Sequence, residues 1–184
     1  MNKPNYSVIT VNQGAFRNRK ASERRASGTT TITVVGSRAG QDSKTVKARI
    51  NHQLGVLRLN REQFGTNTFE FLCGGAKGAD TIGESVAQDT GAAISQYPAD
   101  WNQFGKSAGL RRNIQMAAKT DVLIAFWDMK STGTHHMLRA CRAFNTMCPN
   151  HQMDIIIFNL KGQKVYHYSQ GVSSPKPKTL KSAF

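Results

Sequence analysis

The sequence predicts an α/β fold: a Rossmann-like open parallel sheet of about five strands with flanking helices and basic terminal arms. Three observations carry this expectation. Five short apolar runs are rich in β-branched or aromatic residues, segments with helical spacing separate them, and the first four runs each end in a turn bearing glycine, serine or proline. The runs are 31–35, 69–73, 92–95, 122–126 and 155–158. Between them, 44–57 puts Val46, Ile50, Leu54 and Leu57 on one face, and 81–90 follows Asp80, a good N-cap residue. Residues 111–119 carry Ile114, Ala117 and Ala118, and 134–144 carry Met137, Leu138, Cys141 and Phe144. Strand and helix alternate four times, which implies parallel pairing through right-handed crossovers.

A chain of 184 residues suits one compact unit with tails. We expect a core over 29–160, a basic N-terminal arm over 1–28 and a basic C-terminal tail over 161–184. The net charge of +14 resides mostly in the ends. Lys3, Arg17, Arg19, Lys20, Arg24 and Arg25 stand against Glu23 at one end, and Lys161, Lys164, Lys176, Lys178 and Lys181 face no acid at the other. Polar composition predicts extended or weakly ordered arms. Such arms can add salt-sensitive affinity for RNA or DNA, or serve solubility. Cys73, Cys141 and Cys148 cannot all pair with one another and read as ordinary thiols of a reducing compartment. No run is long enough to span a membrane and no signal-peptide core is evident, so the expected location is the cytoplasm. Oligomeric state stays open, a homo-oligomer included.

The four turns are Gly36-Ser37-Arg38, Gly74-Gly75-Ala76-Lys77-Gly78-Ala79-Asp80, Pro98-Ala99-Asp100-Trp101 and Ser131-Thr132-Gly133-Thr134. In a parallel sheet all four open on one edge, and small residues there let a ligand approach backbone N–H groups at helix N-termini. A phosphate-bearing small molecule is the expected ligand. Gly36 and Ser37 would offer N–H groups and a hydroxyl, and Arg38 a fork-shaped cation. A plain tight turn with a surface arginine is the alternative. Gly74, Gly75 and Gly78 permit a close-approach loop, while Asp80 either hydrogen-bonds a ribose hydroxyl or caps the next helix. Trp101 and Trp127 each follow a strand, where an indole either stacks on a base or packs under a loop. Ligand contact is the expectation for Trp127, beside Asp128, but not for Trp101. His135 and His136 lack a second pair of ligands at metal spacing, so neither a metal nor a cofactor is expected.

The order Val34-Val35-Gly36-Ser37-Arg38, the Gly74–Asp80 loop, Pro98-Ala99-Asp100-Trp101, Gly105-Lys106, Ala108-Gly109, Arg112-Asn113, Met116 and Ala125-Phe126-Trp127-Asp128 with Ser131, Gly133 and Thr134 resembles the YspA-like (DUF2493) branch of the SLOG superfamily, known from bacteria and phages. The resemblance spans roughly 31–145. It implies a Rossmann-like domain and a pocket for a nucleotide-derived ligand, with Lys77 and Arg112 among the site residues. The superfamily includes sensors of nucleotide-derived ligands, the LOG phosphoribohydrolases and DNA-processing proteins.

The LOG signature has an arginine, a methionine four residues later, and then a Pro-Gly-Gly-x-Gly-Thr-x-x-Glu loop. Arg112 and Met116 match its first part, and Gly133-Thr134 its Gly-Thr. Met137 occupies the glutamate position and Lys130-Ser131-Thr132 replaces Pro-Gly-Gly. A thioether neither assists departure of a base nor activates water. The expectation is therefore a binding module that senses or sequesters a nucleotide or ADP-ribose-like ligand. The alternatives are hydrolysis of an N-glycosidic or phosphoester bond, with Asp100 or Asp128 as the carboxylate, and nucleic-acid binding through the arms.

Overall fold

A computed structural model of the chain describes residues 28–38, 40–59, 68–148, 153–169 and 172–173. Five parallel strands form its centre: β1 (Thr29–Gly36), β2 (Thr68–Cys73), β3 (Ala93–Gln96), β4 (Val122–Phe126) and β5 (Asp154–Phe158). Their spatial order is β3-β2-β1-β4-β5. The connections carry α1 (Ser43–Leu59), α2 (Ala79–Thr90), the short α3 (Trp101–Phe104) with a 3₁₀ turn at Gly105–Ser107, α4 (Ala108–Ala117) and α5 (Thr132–Met147). The expected fold class is the observed one.

Alternation along β4 shows how the layers are built, since successive strand residues point to opposite faces. Val122, Ile124 and Phe126 join the apolar cluster that holds Val46, Ile50 and Leu54 of α1 and Val86 and Ala87 of α2. Leu123 and Ala125 join the other cluster, with Met116 and Ala117 of α4 and Met137, Leu138, Cys141 and Phe144 of α5. Helices therefore cover both faces of the sheet, as the continuous apolar runs of its buried strands require. Cys73 and Cys141 are buried thiols. Burial, with Asp80 and Glu84 nearby, pushes the Cys73 thiol up to about 12, so it stays protonated and unreactive.

Two strands lie beyond the five expected. β6 (Lys164–Ser169) pairs antiparallel with β5, and β7 (Val172–Ser173) with β6. The sheet thus runs past the boundary expected at residue 160, and part of the expected C-terminal tail is sheet. Tyr166 explains it: opposite Ile157 in the ladder, it is buried in the cluster of α4 and α5, with Val165 and Tyr168 packed against the same cluster. Burying an aromatic ring outweighs the surrounding charge. The expected N-terminal arm lies outside the described residues apart from Gly28, as does the rest of the expected tail beyond Ser173. Among the described residues no helix is long and apolar enough to cross a membrane.

Two histidines give the fold a pH dependence. His136 Nδ1 and His167 Nε2 are buried without a hydrogen-bond partner among the described residues. Burial lowers the pKa of both imidazoles, helped by Arg139 and His135 at His136 and by Lys164 at His167. Their folded pKa values lie below 6.5, so each binds fewer protons folded than unfolded, and stability present above pH 6.5 is lost as pH falls through the folded values. Urea unfolding at pH 7.5 and pH 5 should show lower stability at the acid end. The double variant His136→Gln/His167→Gln should flatten that slope.

Candidate ligand-binding site

The strand order makes the crevice. Connections lead from β1 outward to β3 on one side and from β4 outward to β5 on the other, so the loops after β1 and β4 diverge at the strand carboxyl ends. A cavity of about 1020 Å³ opens there, lined by all four predicted turns.

The loop after β1 is held from below. Ser37 N–H donates to Phe126 O at 3.0 Å, and Gln41 Nε2 donates to Ser37 O at 2.7 Å. A side chain at Gly36 would come within 2.6 Å of Phe126 O, so only glycine lets β1 and β4 approach this closely. Ser37 is buried, and its Oγ accepts the Asp128 N–H at 3.2 Å. That hydroxyl braces the Asp128 turn, and Gly36 and Ser37 both line the cavity. Arg38 stands exposed at the wall of the cavity, where the sequence expects a ligand-binding cation.

The loop after β2 is organised by Asp80 rather than capped by it. Gly78 precedes α2, with φ of +98° and no side-chain capping bond. Asp80 lies inside the first turn, where its carboxylate accepts the N–H of Ala76 at 2.7 Å and of Gly74 at 3.4 Å. Burial pushes its pKa up, and those two N–H groups and Arg112 pull it part of the way back. Asp80 therefore folds its own loop back on itself, contrary to the N-cap expectation. Gly78 touches the neighbouring loop: a Cβ there would sit 2.6 Å from Ser37 O. Gly78 thus belongs to the scaffold, whereas Gly74, Gly75 and Lys77 line the cavity.

Arg112, on α4, ties the loops together. Its Nη1 donates to Gly74 O, and its Nε to Asn113 Oδ1 at 3.0 Å, while Asn113 Nδ2 donates to Gly133 O at 3.1 Å. Burial lowers the guanidinium pKa, opposed by Asp80. Asn113 and Gln41 are thus site-shaping residues absent from the expected set. Asn113 entered only as part of the resemblance, since a polar residue on a helix face reads as solvated until its loop partner is known, and Gln41 lies in the loop before α1 with no pattern to mark it.

The fourth turn ends in α5. Ser131 caps it, its side chain accepting the Thr134 N–H and O–H at 3.5 and 3.1 Å. The N–H groups of Thr132 and Gly133, at the start of a 16-residue helix, have no intrahelical acceptor and lie at the positive end of its dipole. Asp128 Oδ1 accepts the N–H of Lys130 and Ser131 at 2.9 and 2.7 Å. Partial burial opposes ionisation, but those two bonds and the Ser37 hydroxyl hold the Asp128 carboxyl below the usual range. It is a carboxylate engaged in shaping its turn.

The two tryptophans lie on opposite sides of the cavity wall from those expected. Trp127 is buried, its Nε1 donating to Ser131 O at 3.2 Å and its ring stacked on His135 at 5.6 Å, so it supports the fourth turn from beneath and lies outside the cavity lining. Trp101 is 59% exposed and lines the cavity. Asp100 Oδ1 accepts the Gln103 N–H at 2.9 Å, which makes it the N-cap of α3 and not a cavity residue. Among the described residues no cluster of three or more His, Cys, Asp or Glu could hold a metal ion.

Five cations line the cavity (Arg38, Lys77, Lys106, Arg112 and Lys130) against the carboxylates of Asp80 and Asp128. Fold and site together define a Rossmann-like α/β protein with a positively charged cavity at its topological switch point. The chain is 34% identical over 114 residues to the Gene 61 protein of Mycobacterium phage D29, a match that covers 59% of this chain and 85% of that protein. It belongs to the family of that phage protein. No family model matches the chain. The X-ray structure of DNA processing protein A (DprA) from Streptococcus pneumoniae superposes with a TM-score of 0.48 at 18% identity, over 70% of this chain; the match spans half of that chain's length.

Proposed function

We propose that this protein binds a phosphorylated, nucleotide-derived small molecule in the cavity and senses or sequesters it without transforming it. The observation that carries the reading is the excess of cations around a cavity that also receives the N-terminus of α5. An excess of positive charge in a cleft concentrates anions, and exposed N–H groups with arginine suit phosphate geometry. The order of the motifs from Gly36 to Thr134 supports assigning the family to the YspA-like branch of the SLOG superfamily. The phage relative fits action in a host cytoplasm.

Binding is favoured over hydrolysis by the state of Asp100 and Asp128, the two carboxylates considered for the reaction, while Asp80 is engaged by the N–H groups of Ala76 and Gly74. Asp100 caps α3 outside the cavity, and Asp128, held ionised by backbone N–H groups, has no proton to give a leaving group and is a weak base. Met137 is fully buried and outside the cavity lining.

Arg38→Ala separates ligand recognition from folding. Charge-assisted hydrogen bonds contribute about 1.5–3 kcal/mol, so affinity for ADP-ribose or ADP should fall by about tenfold or more. An exposed arginine contributes little to the fold, so the melting curve should stay where it is. Calorimetry and thermal melting check the two halves. Chromatography of ADP-ribose recovered from the native protein should return it unchanged; free adenine or ribose phosphate would overturn the binding reading.

A further inference from the structure

We propose that Trp101 is a stacking platform for the ligand's aromatic base, which makes the cavity selective for nucleotides over sugar phosphates and inorganic phosphates; this rests on the anion-binding reading above. Trp101 is one of three large apolar residues left exposed among those described, and it is the one that lines the cavity. An exposed indole in the wall of a cation-rich cavity offers a flat contact surface.

The ring also has a backing. Asp100 caps the turn that bears it, and Phe104 at the other end of α3 lies under the Arg111 guanidinium at 4.4 Å from the ring centroid. On α4 the indole lies against Gly109, where a Cβ would stand 3.3 Å from the ring. A side chain at 109 would press on that edge of the ring. One edge of the indole is therefore backed by helix while the ring stays open, and a pre-positioned platform costs little entropy on binding.

The layout matches an elongated ligand. The loop carrying Trp101 follows β3, whereas Arg38 and the start of α5 follow β1 and β4. In the order β3-β2-β1-β4 the outer two strands are three spacings apart, roughly 14 Å. A nucleotide lying across the strand ends sets its base on Trp101, its sugar over the Gly74-Gly75 loop and its phosphates between Arg38 and the N–H groups of Thr132 and Gly133. Lys106, on the Trp101 side of the cavity, adds a cation beside the base.

The test compares ADP with pyrophosphate and ribose 5-phosphate on the native protein, Trp101→Ala and Trp101→Phe, by calorimetry and by intrinsic fluorescence. The chain has two tryptophans, and Trp127 is buried. ADP should therefore quench the exposed indole while pyrophosphate leaves it unchanged. Base–aromatic stacking predicts a loss of about ten- to hundredfold in ADP affinity for Trp101→Ala relative to its pyrophosphate affinity, with Trp101→Phe retaining most of the native preference. Equal affinities for ADP and pyrophosphate on the native protein, or equal losses for both in Trp101→Ala, would overturn the platform and leave the anion site standing. Failure of all three probes to bind the native protein would overturn both. Should Trp101→Ala not fold, the native quenching and the Trp101→Phe affinities still decide.

Discussion

Met137→Glu is expected to cost the fold about 3–5 kcal/mol or more and to produce no phosphoribohydrolase. Met137 is fully buried in the apolar cluster that packs α5 against the sheet, together with Leu123, Ala125 and Leu138. A carboxylate there would leave water for an apolar cluster, and an uncompensated buried charge is among the most damaging single changes. The group would also be outside the cavity, whose lining includes Thr134 and does not reach Met137. A general acid must lie within hydrogen-bond reach of the proton it transfers, so restoring the carboxylate restores no chemistry. The volume-conserving Met137→Leu should cost less than about 1.5 kcal/mol, which isolates the charge as the cause. Urea unfolding and release of adenine from AMP measure the two consequences. A stable Met137→Glu variant that turns over AMP would place this position at the reaction centre and refute the argument.

The parallel sheet was legible because β4 and β5, buried on both faces, appear as continuous apolar runs, while its helices show a 3.6-residue period. β6 was not, since Lys164 and His167 break up a strand whose inward content rests on Val165, Tyr166 and Tyr168. At the site, position was legible and orientation only in part. Extending the alternation of Leu123 and Ala125 by two residues carries Trp127 into the α5 cluster, a signal present in the sequence. Asp100-x-x-Gln103 likewise has the spacing of a helix N-cap and its third residue, and the bond between them is the observed one. Adjacency to Asp128 and the fourth turn suggested a ligand role for Trp127, but adjacency does not determine which way a ring faces. The roles of Arg112 and Asn113 depend on loop carbonyls brought to them by the fold: Gly74 lies 38 residues from Arg112, and Gly133 lies 20 from Asn113. No local pattern encodes such contacts.

That dependence distinguishes the two arginines that the sequence treats alike. Arg112→Ala should lower stability by roughly 2–4 kcal/mol in the absence of any ligand, whereas Arg38→Ala should not. Removing the guanidinium leaves Gly74 O without its donor and Asn113 Oδ1 without the Arg112 Nε. It also takes away the cation that steadies the buried Asp80 carboxylate. A partly buried acceptor stranded in this way costs about 1–3 kcal/mol, and loss of the neighbouring positive charge adds to it. For a domain of this size each kcal/mol moves the melting temperature by about 2–4 °C, so the fall should be readily measured. Arg112→Lys keeps a charge but not the fork that reaches both Gly74 O and Asn113, so it should lie between native and alanine. Ligand affinity should drop as well, because the Gly74-Gly75 loop and the Gly133 turn lose their common tie through Arg112 and Asn113. The deciding measurement is melting of the ligand-free variants: an unchanged transition in Arg112→Ala accompanied by weaker binding would make Arg112 a ligand cation, as the sequence alone suggests, and not the brace between the loops.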